Sequence, residues 1–419
     1  AKLLVVDAPL LHALSAEALK KISHFSPQNV ANTAWACARL QFSHRPCRDA
    51  LAAAAIALMR EFHGQLLSNT AWAFAPLGFR DEPLMDAISA QAIRILRDFN
   101  PQDLGTTAWA FATLAFRDEP LLAAISAASR RKLSEPGEFR PQNLTNIAWA
   151  LARLEVADEP LLAAIAAASI ATIPEFNSQN LGNTAWALAV LECRHVPLLQ
   201  SISSESISKN PDFHPQELSN PAWAFAKLQL RDLPLLAAIS AAARAKLKDL
   251  NPHDIAGTAW AFAALGFRDV PLLTALSAAA ISTSADFGAQ DFANTSWSYA
   301  PLSFVDRPLL AAISAASIRS ISAASAQDLA NTAWAFAALS WANGPFLDAI
   351  SAEALPKMPD FIPQNHTNMA WALAVLGKHD APLLAAIAAA ARQTIPDFNS
   401  QNLSNTSWAF ATLGRQNVP

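Results

Sequence analysis

The stretch FNPQDLGTTAWAFATLAFRDEP, from Phe99 to Pro120, returns with small changes as FNSQNLGNTAWALAVLECRHVP, from Phe176 to Pro197. The tryptophan in this stretch marks its recurrence along the chain. Every gap between marked tryptophans is 37 residues, except one gap of 40 where the longer loop SEPGEF ends at Phe139. A fixed period of this length predicts an array of repeated structural units. The series comprises Trp35, Trp72, Trp109, Trp149, Trp186, Trp223, Trp260, Trp297, Trp334, Trp371 and Trp408.

Each unit is predicted to be a helical hairpin. Counting the usual phenylalanine as position 1, position 2 is often an N-cap residue such as Asn100, and position 3 is often a proline such as Pro101. Helix A then places positions 6, 10, 13 and 14 on one side. Asp and Pro near positions 20 to 22 open helix B, whose Leu and Ile residues complete the core. We predict an all-α protein, a right-handed α-solenoid of eleven 37-residue helix-turn-helix repeats, with the hand taken by analogy with related repeats.

The predicted domain organisation is one solenoid. Residues 1–24 are expected to hold a partial repeat, and residues 25–419 eleven tandem hairpins, the last ending after helix A. Because the opening letters AKL match positions 14 to 16 at Ala226–Leu228, we expect the chain to begin inside a helix A and to be a piece of a longer array. Pro221 should kink its helix or remove a bond, while Pro76 and Pro301 at position 15 should end theirs early.

Composition excludes several classes of protein. With 53% hydrophobic and 15% charged residues, the chain is too apolar to be disordered. Its longest apolar run, residues 50–59, is too short for a membrane span, so no membrane insertion is expected. The three cysteines show no paired spacing, which favours a reducing compartment. No catalytic constellation, phosphate loop or metal-ligand spacing is present, so we expect a protein that is not an enzyme and uses no metal or cofactor.

The phrase PQNLTNIAWALARL, from Pro141 to Leu154, with DEPLLAAIAAAS after it, resembles the octotricopeptide and heptatricopeptide repeat families of organelle RNA-binding proteins. The resemblance covers essentially the whole chain. It implies a helical-hairpin solenoid that binds single-stranded RNA in a mitochondrion or chloroplast. The implied roles are RNA stability, processing, translation or ribosome assembly. The net charge of −4 differs from the basic excess of a strongly electrostatic nucleic-acid binder.

Polar residues that vary once per repeat are the candidates for RNA contact. On a helical wheel, positions 5, 8, 12 and 15 form one stripe, and alanine at position 12 would leave a shallow trough on the concave side. Asn donates and accepts hydrogen bonds whereas Asp only accepts, which is the distinction that a reader of base edges needs. The predicted RNA-binding residues at positions 5 and 8 are Asn29, Asn32, Asn69, Asp103, Thr106, Asn143, Asn146, Asn180, Asn183, Glu217, Asn220, Asp254, Asp291, Asn294, Asp328, Asn331, Asn365, Asn368, Asn402 and Asn405.

Purely structural roles would also explain the residues at positions 5, 8 and 11. Position 5 is the third residue of helix A, where Asp, Glu and Asn also serve as capping residues. Asparagine at position 8 either bonds the neighbouring repeat in a ladder or contacts a ligand. Tryptophan at position 11 is expected to pack between repeats rather than to form an exposed stacking platform.

Phosphate contacts would need cations. Two sets are candidates: position 15 on the stripe and position 19 in the turn between helices, although the turn arginines also have acidic neighbours with which to pair. These residues are Arg39, Arg153, Lys227, Arg80, Arg117, Arg194, Arg231 and Arg268.

The sequence therefore favours single-stranded RNA binding at about one nucleotide per repeat. The alternatives are a protein-binding scaffold within a large ribonucleoprotein or other organelle assembly, and an extended-peptide binder.

Overall fold

The computed structural model describes residues 7–135, 138–209 and 213–414. These ranges contain 22 α-helices and no β-strand. The chain divides into two compact units, Ala1–Ser206 and Ile207–Pro419. Two sequence predictions fall outside the described residues: the start of the chain inside a helix A, and part of the SEPGEF loop at residues 136–137.

The first unit consists of alternating helices. The even-numbered helices correspond to the predicted helices A and the odd-numbered helices to the predicted helices B. In chain order they are α1 (Ala8–Lys21), α2 (Pro27–Arg39), α3 (Arg45–Ala57), α4 (Gly64–Phe74), α5 (Glu82–Ile95), α6 (Pro101–Thr113), α7 (Glu119–Leu133), α8 (Pro141–Arg153), α9 (Glu159–Ala171), α10 (Ser178–Val190) and α11 (Val196–Lys209), whose last turn belongs to the second unit.

The second unit continues the same alternation. Its helices are α12 (Pro215–Lys227), α13 (Leu233–Ala245), α14 (Pro252–Ala264), α15 (Val270–Ser282), α16 (Ala289–Tyr299), α17 (Arg307–Ser320), α18 (Ala326–Ala338), α19 (Gly344–Ala354), α20 (Pro363–Val375), α21 (Ala381–Thr394) and α22 (Ser400–Thr412).

Local sequence sets where both helices of a hairpin begin. Asn100 caps α6 by accepting a hydrogen bond of 2.9 Å from the backbone N–H of Asp103, and Pro101 occupies the first helical residue, where a missing N–H costs nothing. Asp118 caps α7 in the same way, accepting from the backbone N–H of Leu121 at 2.9 Å. Asp or Asn at position 20 repeats this cap at α5, α9, α13, α15, α17, α19 and α21.

Each described helix A ends in a tight turn at position 17. Ala115 has φ 51°, and the N–H of the next residue, Phe116, donates to the carbonyl of Phe111 at 2.9 Å. This is the Schellman arrangement, which satisfies carbonyls that the helix end leaves without partners. Glycine, for which a left-handed conformation carries no penalty, stands at this position as Gly78, Gly266, Gly377 and Gly414.

Helices of the same type pack side by side. In the first unit α2, α4, α6, α8 and α10 contact one another in succession, and so do α12 to α22 among the even-numbered helices of the second unit. The odd-numbered helices form a second, looser layer within each unit. This packing of neighbouring hairpins confirms the predicted all-α solenoid class. The number of repeats and the right-handed superhelix stay predictions.

The core lies between the two layers and between successive helices A. The predicted core residues Leu104, Ala108, Phe111 and Ala112 are all buried, as expected from their helical spacing. Position 7 carries a small residue because the next helix A approaches closely there. A Cβ atom built on Gly105 would lie 3.2 Å from the backbone oxygen of Asn143 in α8.

The prolines inside helices A act in two ways. Helices α4 and α16 span 11 residues rather than the 13 of α6, so Pro76 and Pro301 do end their helices early, as predicted. Pro221, in contrast, lies within α12, which runs uninterrupted from Pro215 to Lys227.

We expect Gly105→Leu to lower the thermal unfolding midpoint, because the larger side chain must push α6 and α8 apart. Overpacking of this kind costs about 1 to 3 kcal/mol. The matched control is Gly257→Leu in α14, where an added Cβ meets nothing within 4 Å. Leucine is also the better helix former. Thermal unfolding, monitored by circular dichroism, should give Gly105→Leu a lower midpoint than the wild type and Gly257→Leu an equal or higher one. The reverse order of midpoints would contradict the close contact between α6 and α8.

His366 is an exception in the core. It occupies position 6 of α20, where the other repeats carry an aliphatic or aromatic residue, and it is 1% exposed. Its ring lies beside Phe361 and Phe398, with centroids 5.6 and 6.4 Å away. Neither ring nitrogen has a hydrogen-bond partner among the described residues. Burial lowers the pKa of His366 because the charged form loses its hydration.

We therefore expect a pH-dependent loss of stability around α20. A histidine whose folded pKa lies below its unfolded value stabilises fully above about pH 6.5 and progressively less as the pH falls towards the folded pKa. His366→Leu should raise the unfolding midpoint, and by more at pH 5.5 than at pH 7.5. His379→Leu, at an exposed histidine of the same repeat, is the control. An equal gain for His366→Leu at both pH values would contradict the assignment.

Candidate functional site

Position 5 lies in the first turn of helix A and takes part in capping. The carboxylate of Asp103 accepts a hydrogen bond of 3.1 Å from the backbone N–H of Asn100, in return for the bond that Asn100 accepts. Five of the predicted base readers are less than 9% exposed: Asp103, Asn180, Asp254, Asn365 and Asn402. The same bond from the position 2 backbone reaches Asn29, Asn143, Asn180, Glu217, Asp254, Asp291, Asp328 and Asn365.

Two buried carboxylates at position 5 also touch the preceding helix A. Ser68 donates to Asp103 at 3.1 Å, and Ser219 donates to Asp254 at 3.3 Å. Burial raises the pKa of both carboxyl groups, although the backbone bonds from Asn100 and Asn251 act in the opposite direction. These side chains therefore join neighbouring helices rather than project from the surface.

Position 8 is more accessible. Its asparagines are partly exposed, and Asn32 is exposed. One pair bonds between helices, with Asn368 donating to Asn331 at 3.4 Å. Within the ranges that the structure describes, the other amides at this position have no partner in a neighbouring helix. The predicted ladder is therefore limited to this pair, and the remaining amides are free for a ligand: Asn69, Asn146, Asn183, Asn220, Asn294 and Asn405.

Position 12 corrects the predicted trough. Apart from Ala36, which is partly exposed, the residues there are buried, and Ala110, Ala187 and Ser298 are 0% exposed. The exposed stripe runs instead through positions 4, 8, 11 and 15. It shares positions 8 and 15 with the predicted stripe, whereas positions 4 and 11 take the place of positions 5 and 12. The predicted stripe is wrong at position 12 because we placed it on the side of helix A whose polar residues vary among repeats. Close packing of neighbouring helices A buries part of that side.

Position 4 is the feature that sequence reasoning missed. It is glutamine in ten repeats and His253 in the remaining one. Its described side chains are exposed, and Gln28 donates to Asn32 at 2.8 Å, which places positions 4 and 8 on one face. The signal was present in the sequence as a residue that does not vary. The glutamines are Gln28, Gln65, Gln102, Gln142, Gln179, Gln216, Gln290, Gln327, Gln364 and Gln401, with the side chain of Gln216 outside the described part.

The tryptophans stack along the same face. In the first unit the rings of Trp109, Trp149 and Trp186 follow one another at centroid distances of 6.3 Å. In the second unit Trp223, Trp260 and Trp297 do so at 6.3 and 6.5 Å, and Trp334 and Trp371 at 6.1 Å. The rings thus pack between repeats, as predicted, yet they are not buried. Each keeps part of its surface open, and Trp35 and Trp408 are 47% exposed.

We name this surface the amide–tryptophan face: positions 4, 8 and 11 of the helices A, within each unit. His253 gives it one titratable group. The ring lies 3.7 Å from Asp291 in the next helix A, and the hydrogen bond to Asp291 raises the pKa of His253. Amide groups can donate and accept hydrogen bonds, and indole rings offer flat apolar surface for stacking.

The candidate cations lie at the C-terminal ends of helices A. Arg39, Arg153 and Lys227 at position 15 are exposed and extend the stripe. In the turns, Arg80 pairs with Glu82 at 3.3 Å and Arg117 with Glu119 at 3.2 Å, both at the surface, where such pairs are weak. Arg194, Arg231 and Arg268 are exposed and have no ion pair within the described ranges.

Neither a metal-ligand group nor a membrane-spanning helix occurs among the described residues. No group of three or more His, Cys, Asp or Glu side chains there is arranged to hold a metal ion. None of the described helices has both the length and the apolar character needed to cross a bilayer.

We expect Asp254→Ala to lower the thermal unfolding midpoint and Asp254→Asn to leave it nearly unchanged. Alanine removes the capping bond, at a cost of about 1 kcal/mol, whereas asparagine keeps an oxygen in the same place, as Asn180 does in α10. Thermal unfolding at pH 7 compares the two variants. Equal destabilisation by both would argue against capping as the function of position 5.

Similarity to several known proteins is partial or distant. A protein family of unknown function matches residues 305–332 and 380–406. Among solved structures, one similar chain is from a homology model of the full-length AP-3 complex in an intermediate open conformation. It has 12% sequence identity and a TM-score of 0.37 over 96% of this chain and 77% of that chain, and is too distant to support an argument. No curated protein matches the chain.

The family model of the RNA-editing substrate-binding complex 6 protein matches residues 7–159 and 129–233, which together exceed half of the chain. This match supports a helical-repeat family associated with RNA, and does not specifically indicate octotricopeptide repeats. The chain belongs to the RNA-editing substrate-binding complex 6 protein family.

Proposed function

We propose that the chain binds single-stranded RNA on the amide–tryptophan face, at about one nucleotide per repeat. The observation that carries this proposal is the row of accessible glutamine and asparagine amides beside a row of stacked, partly exposed tryptophans. Helical repeats that hold one base each with two or three side chains are an established mode of RNA recognition.

The chemistry of this face suits bases better than it suits a phosphate backbone. Amides can donate to and accept from the edges of all four bases. Base–aromatic stacking contributes about 1 to 3 kcal/mol per base and tolerates any sequence. Because glutamine and asparagine recur in nearly every repeat, we propose a weak sequence preference. Position 5, held in its capping boxes, then contributes little to base choice.

Cations would position the phosphates along one edge of this face. Arg or Lys occupies position 15 or 19 in every repeat from Arg39 to Arg268. The later repeats have no Arg or Lys at these two positions, which hold residues such as Pro301, Val305 and Val375. We therefore place the RNA site mainly on the first unit, which holds Arg39, Arg80, Arg117, Arg153 and Arg194. The small number of cations fits the net charge of −4 and implies a modest dependence of binding on salt.

The family name adds a biological setting to the proposal. The family is described as an RNA-editing substrate-binding complex protein, and we propose that this chain likewise holds RNA for other proteins without catalysing a reaction itself. A mitochondrion or chloroplast is the proposed location, with roles in RNA processing, stability, translation or ribosome assembly. Fractionation of source cells followed by immunoblotting would test the location.

A protein-binding scaffold is the second candidate, and one observation favours it. In the repeats whose positions 15 and 19 hold no Arg or Lys, Val305 is 54%, Ile362 57% and Val375 38% exposed. Contiguous exposed apolar surface marks protein contacts, and we propose that these side chains belong to such a surface. The two functions are compatible, since RNA and protein would use different repeats. Co-purification of a defined protein after nuclease treatment, abolished by substituting these three residues with serine, would support the scaffold.

We expect the variant Gln142→Ala/Asn146→Ala/Gln179→Ala/Asn183→Ala to bind a randomised pool of short single-stranded RNA at least tenfold more weakly. Each hydrogen bond removed is worth about 1 kcal/mol. Gln200→Ala/Gln393→Ala, which removes exposed amides from helices B, is the matched control and should bind like the wild type. Fluorescence anisotropy at low and physiological salt measures the affinities.

Two further variants separate the parts of the proposal. Arg39→Ala/Arg153→Ala should weaken binding for all sequences and reduce the slope of affinity against salt, by about one unit for each phosphate that is no longer neutralised. Asp254→Asn/Asp291→Asn/Asp328→Asn should leave the selected sequences unchanged. A new base preference at three adjacent nucleotides would instead restore position 5 as a base reader. No retention of RNA by the wild type at low salt would overturn the proposed function.

A further inference from the structure

The turn between helices A and B holds an aromatic ring in most repeats. Position 18 is phenylalanine in five repeats and tryptophan in one. In the repeat of α8 and α9 it is Val156, and the next residue is Ala157, where five other repeats carry arginine. This one turn therefore lacks both the ring and the arginine.

Where the ring is present in the first repeats, an arginine of the preceding hairpin lies over it. The guanidinium carbon of Arg48 is 3.7 Å from the ring centroid of Phe79, and that of Arg80 is 5.3 Å from the ring centroid of Phe116. These are cation–π contacts. Arg80 also pairs with Glu82 at 3.3 Å, so a single arginine makes both kinds of contact at once.

A cleft opens where Val156 replaces the ring. Arg117, at position 19 of the preceding repeat, lines this cleft together with Leu122, Leu151 and Val156. The two leucines are no more than 5% exposed and give the cleft an apolar floor. Its volume of about 460 Å³ lies within the range of ligand pockets, about 300 to 1,000 Å³. Arg117 thus stands at the rim of a space in which its counterparts cover a ring.

Two exposed carboxylates also line the cleft. Glu119 pairs with Arg117 at 3.2 Å, which leaves the face of the guanidinium available, as the double contact of Arg80 demonstrates. Glu159 occupies the same position of the next hairpin, but Ala157 stands where its arginine partner would be. Within the described ranges Glu159 has no ion pair, so its carboxylate is a free acceptor.

The remaining carboxylate of the cleft, that of Asp158, is already engaged. One oxygen accepts from the backbone N–H of Leu161 at 3.0 Å, and the other accepts from the hydroxyl of Ser126. The charges of the cleft disfavour an anion, because of its carboxylates, and a cation, because of Arg117. A neutral, flat ring with N–H donors is the ligand that fits.

We propose that this cleft takes one unstacked guanine of the RNA bound on the amide–tryptophan face, an inference that rests on the proposed function. The base stacks on the guanidinium of Arg117, and its adjacent N1–H and N2–H groups donate to the carboxylate of Glu159. Adenine and cytosine offer an amino group with no second donor beside it. Unstacked RNA bases are commonly held by arginine planes and by bonds to their Watson–Crick edges.

The first test compares RNA selected from a randomised pool by the full-length variants. Val156→Phe fills the cleft with the residue that five other repeats carry at this position, and Leu230→Phe, at position 18 of α12's repeat, is the matched control. We expect the wild type and Leu230→Phe to enrich guanine at one nucleotide, and Val156→Phe to show no such enrichment. Thermal unfolding checks that Val156→Phe is folded.

Inosine measures the contribution of the guanine amino group. Replacing the enriched guanine by inosine, which lacks that group, should weaken binding to the wild type about tenfold and leave binding to Val156→Phe unchanged. Fluorescence anisotropy gives both affinities. Equal weakening in the two proteins would overturn the assignment of the cleft.

Ala157→Arg tests the carboxylate without filling the space. The new arginine gives Glu159 the partner that Glu82 has in Arg80. We expect this variant to lose the guanine preference and to bind oligonucleotides without guanine at least as well as the wild type, because a cation has been added. An unchanged guanine preference would overturn the role of Glu159.

Failure of the cleft and failure of the proposed function give different results. RNA retained by the wild type without a guanine preference would overturn the cleft alone. No retention of RNA would overturn the proposed function, and saturation-transfer NMR with guanosine then tests the cleft by itself. Guanosine signals that exceed those of adenosine and disappear in Val156→Phe would support it, whereas absent signals, or equal ones in Val156→Phe, would overturn it.

Discussion

Close packing between successive helices A is the contact on which the rest of the structure depends. It requires small residues where the backbones approach, such as Gly105 against the backbone of Asn143. Hydroxyl groups in the same contact bond to one another, as Thr145 and Thr184 do at 3.1 Å. Because the helices lie so near, tryptophan rings of several adjacent repeats within each unit approach one another at about 6 Å. The repeat in the sequence therefore produces a surface on which the same kinds of side chain recur from one helix A to the next.

This contact also decides which polar residues remain available. The residues at position 12 are buried between helices A, and the residues at position 5 close the capping boxes at the helix N-termini. The sequence pattern predicts an open trough for both, and packing excludes it. Positions 4 and 8 lie at the edge of the contact, where position 4 is exposed and position 8 stays partly accessible. The candidate RNA surface is therefore an almost uniform row of amides, and uniformity favours the holding of RNA over the reading of its sequence.

Departures from the repeat are as informative as the repeat itself. His366 replaces an apolar core residue of α20, and Cys37 and Cys47 replace an apolar core pair of the first hairpin. A single unit can tolerate such changes because it packs mainly on its neighbours, so the cost stays local. His366 and Cys47 thereby bring titratable groups to buried places, whereas Cys37 is partly exposed.

The sequence by itself determined the helical hairpins and their boundaries. Asn100, Pro101 and Asp118 begin helices through bonds that span only three residues, and Pro76 and Pro301 shorten theirs through steric effects on the local backbone. The 37-residue tryptophan period likewise predicted the solenoid class, since any such array must bury its apolar faces on its neighbours. These features are local or periodic, and both kinds can be seen in a linear string.

Only the tertiary structure decided which edge of helix A stays open and which side chains meet across a hairpin. A helical wheel shows the direction of each side chain around one helix, but the neighbouring helices decide which of these directions is buried. Because a shift of one residue turns a side chain by about 100°, the wheel alone does not separate position 4 from position 5. Gln142 therefore joins Asn146 among the candidate site residues, while Asp254 is a cap and an inter-helix contact. The contact of Phe336 with Phe346 arises in the same way, because residues ten apart in sequence become neighbours only when the chain reverses between α18 and α19.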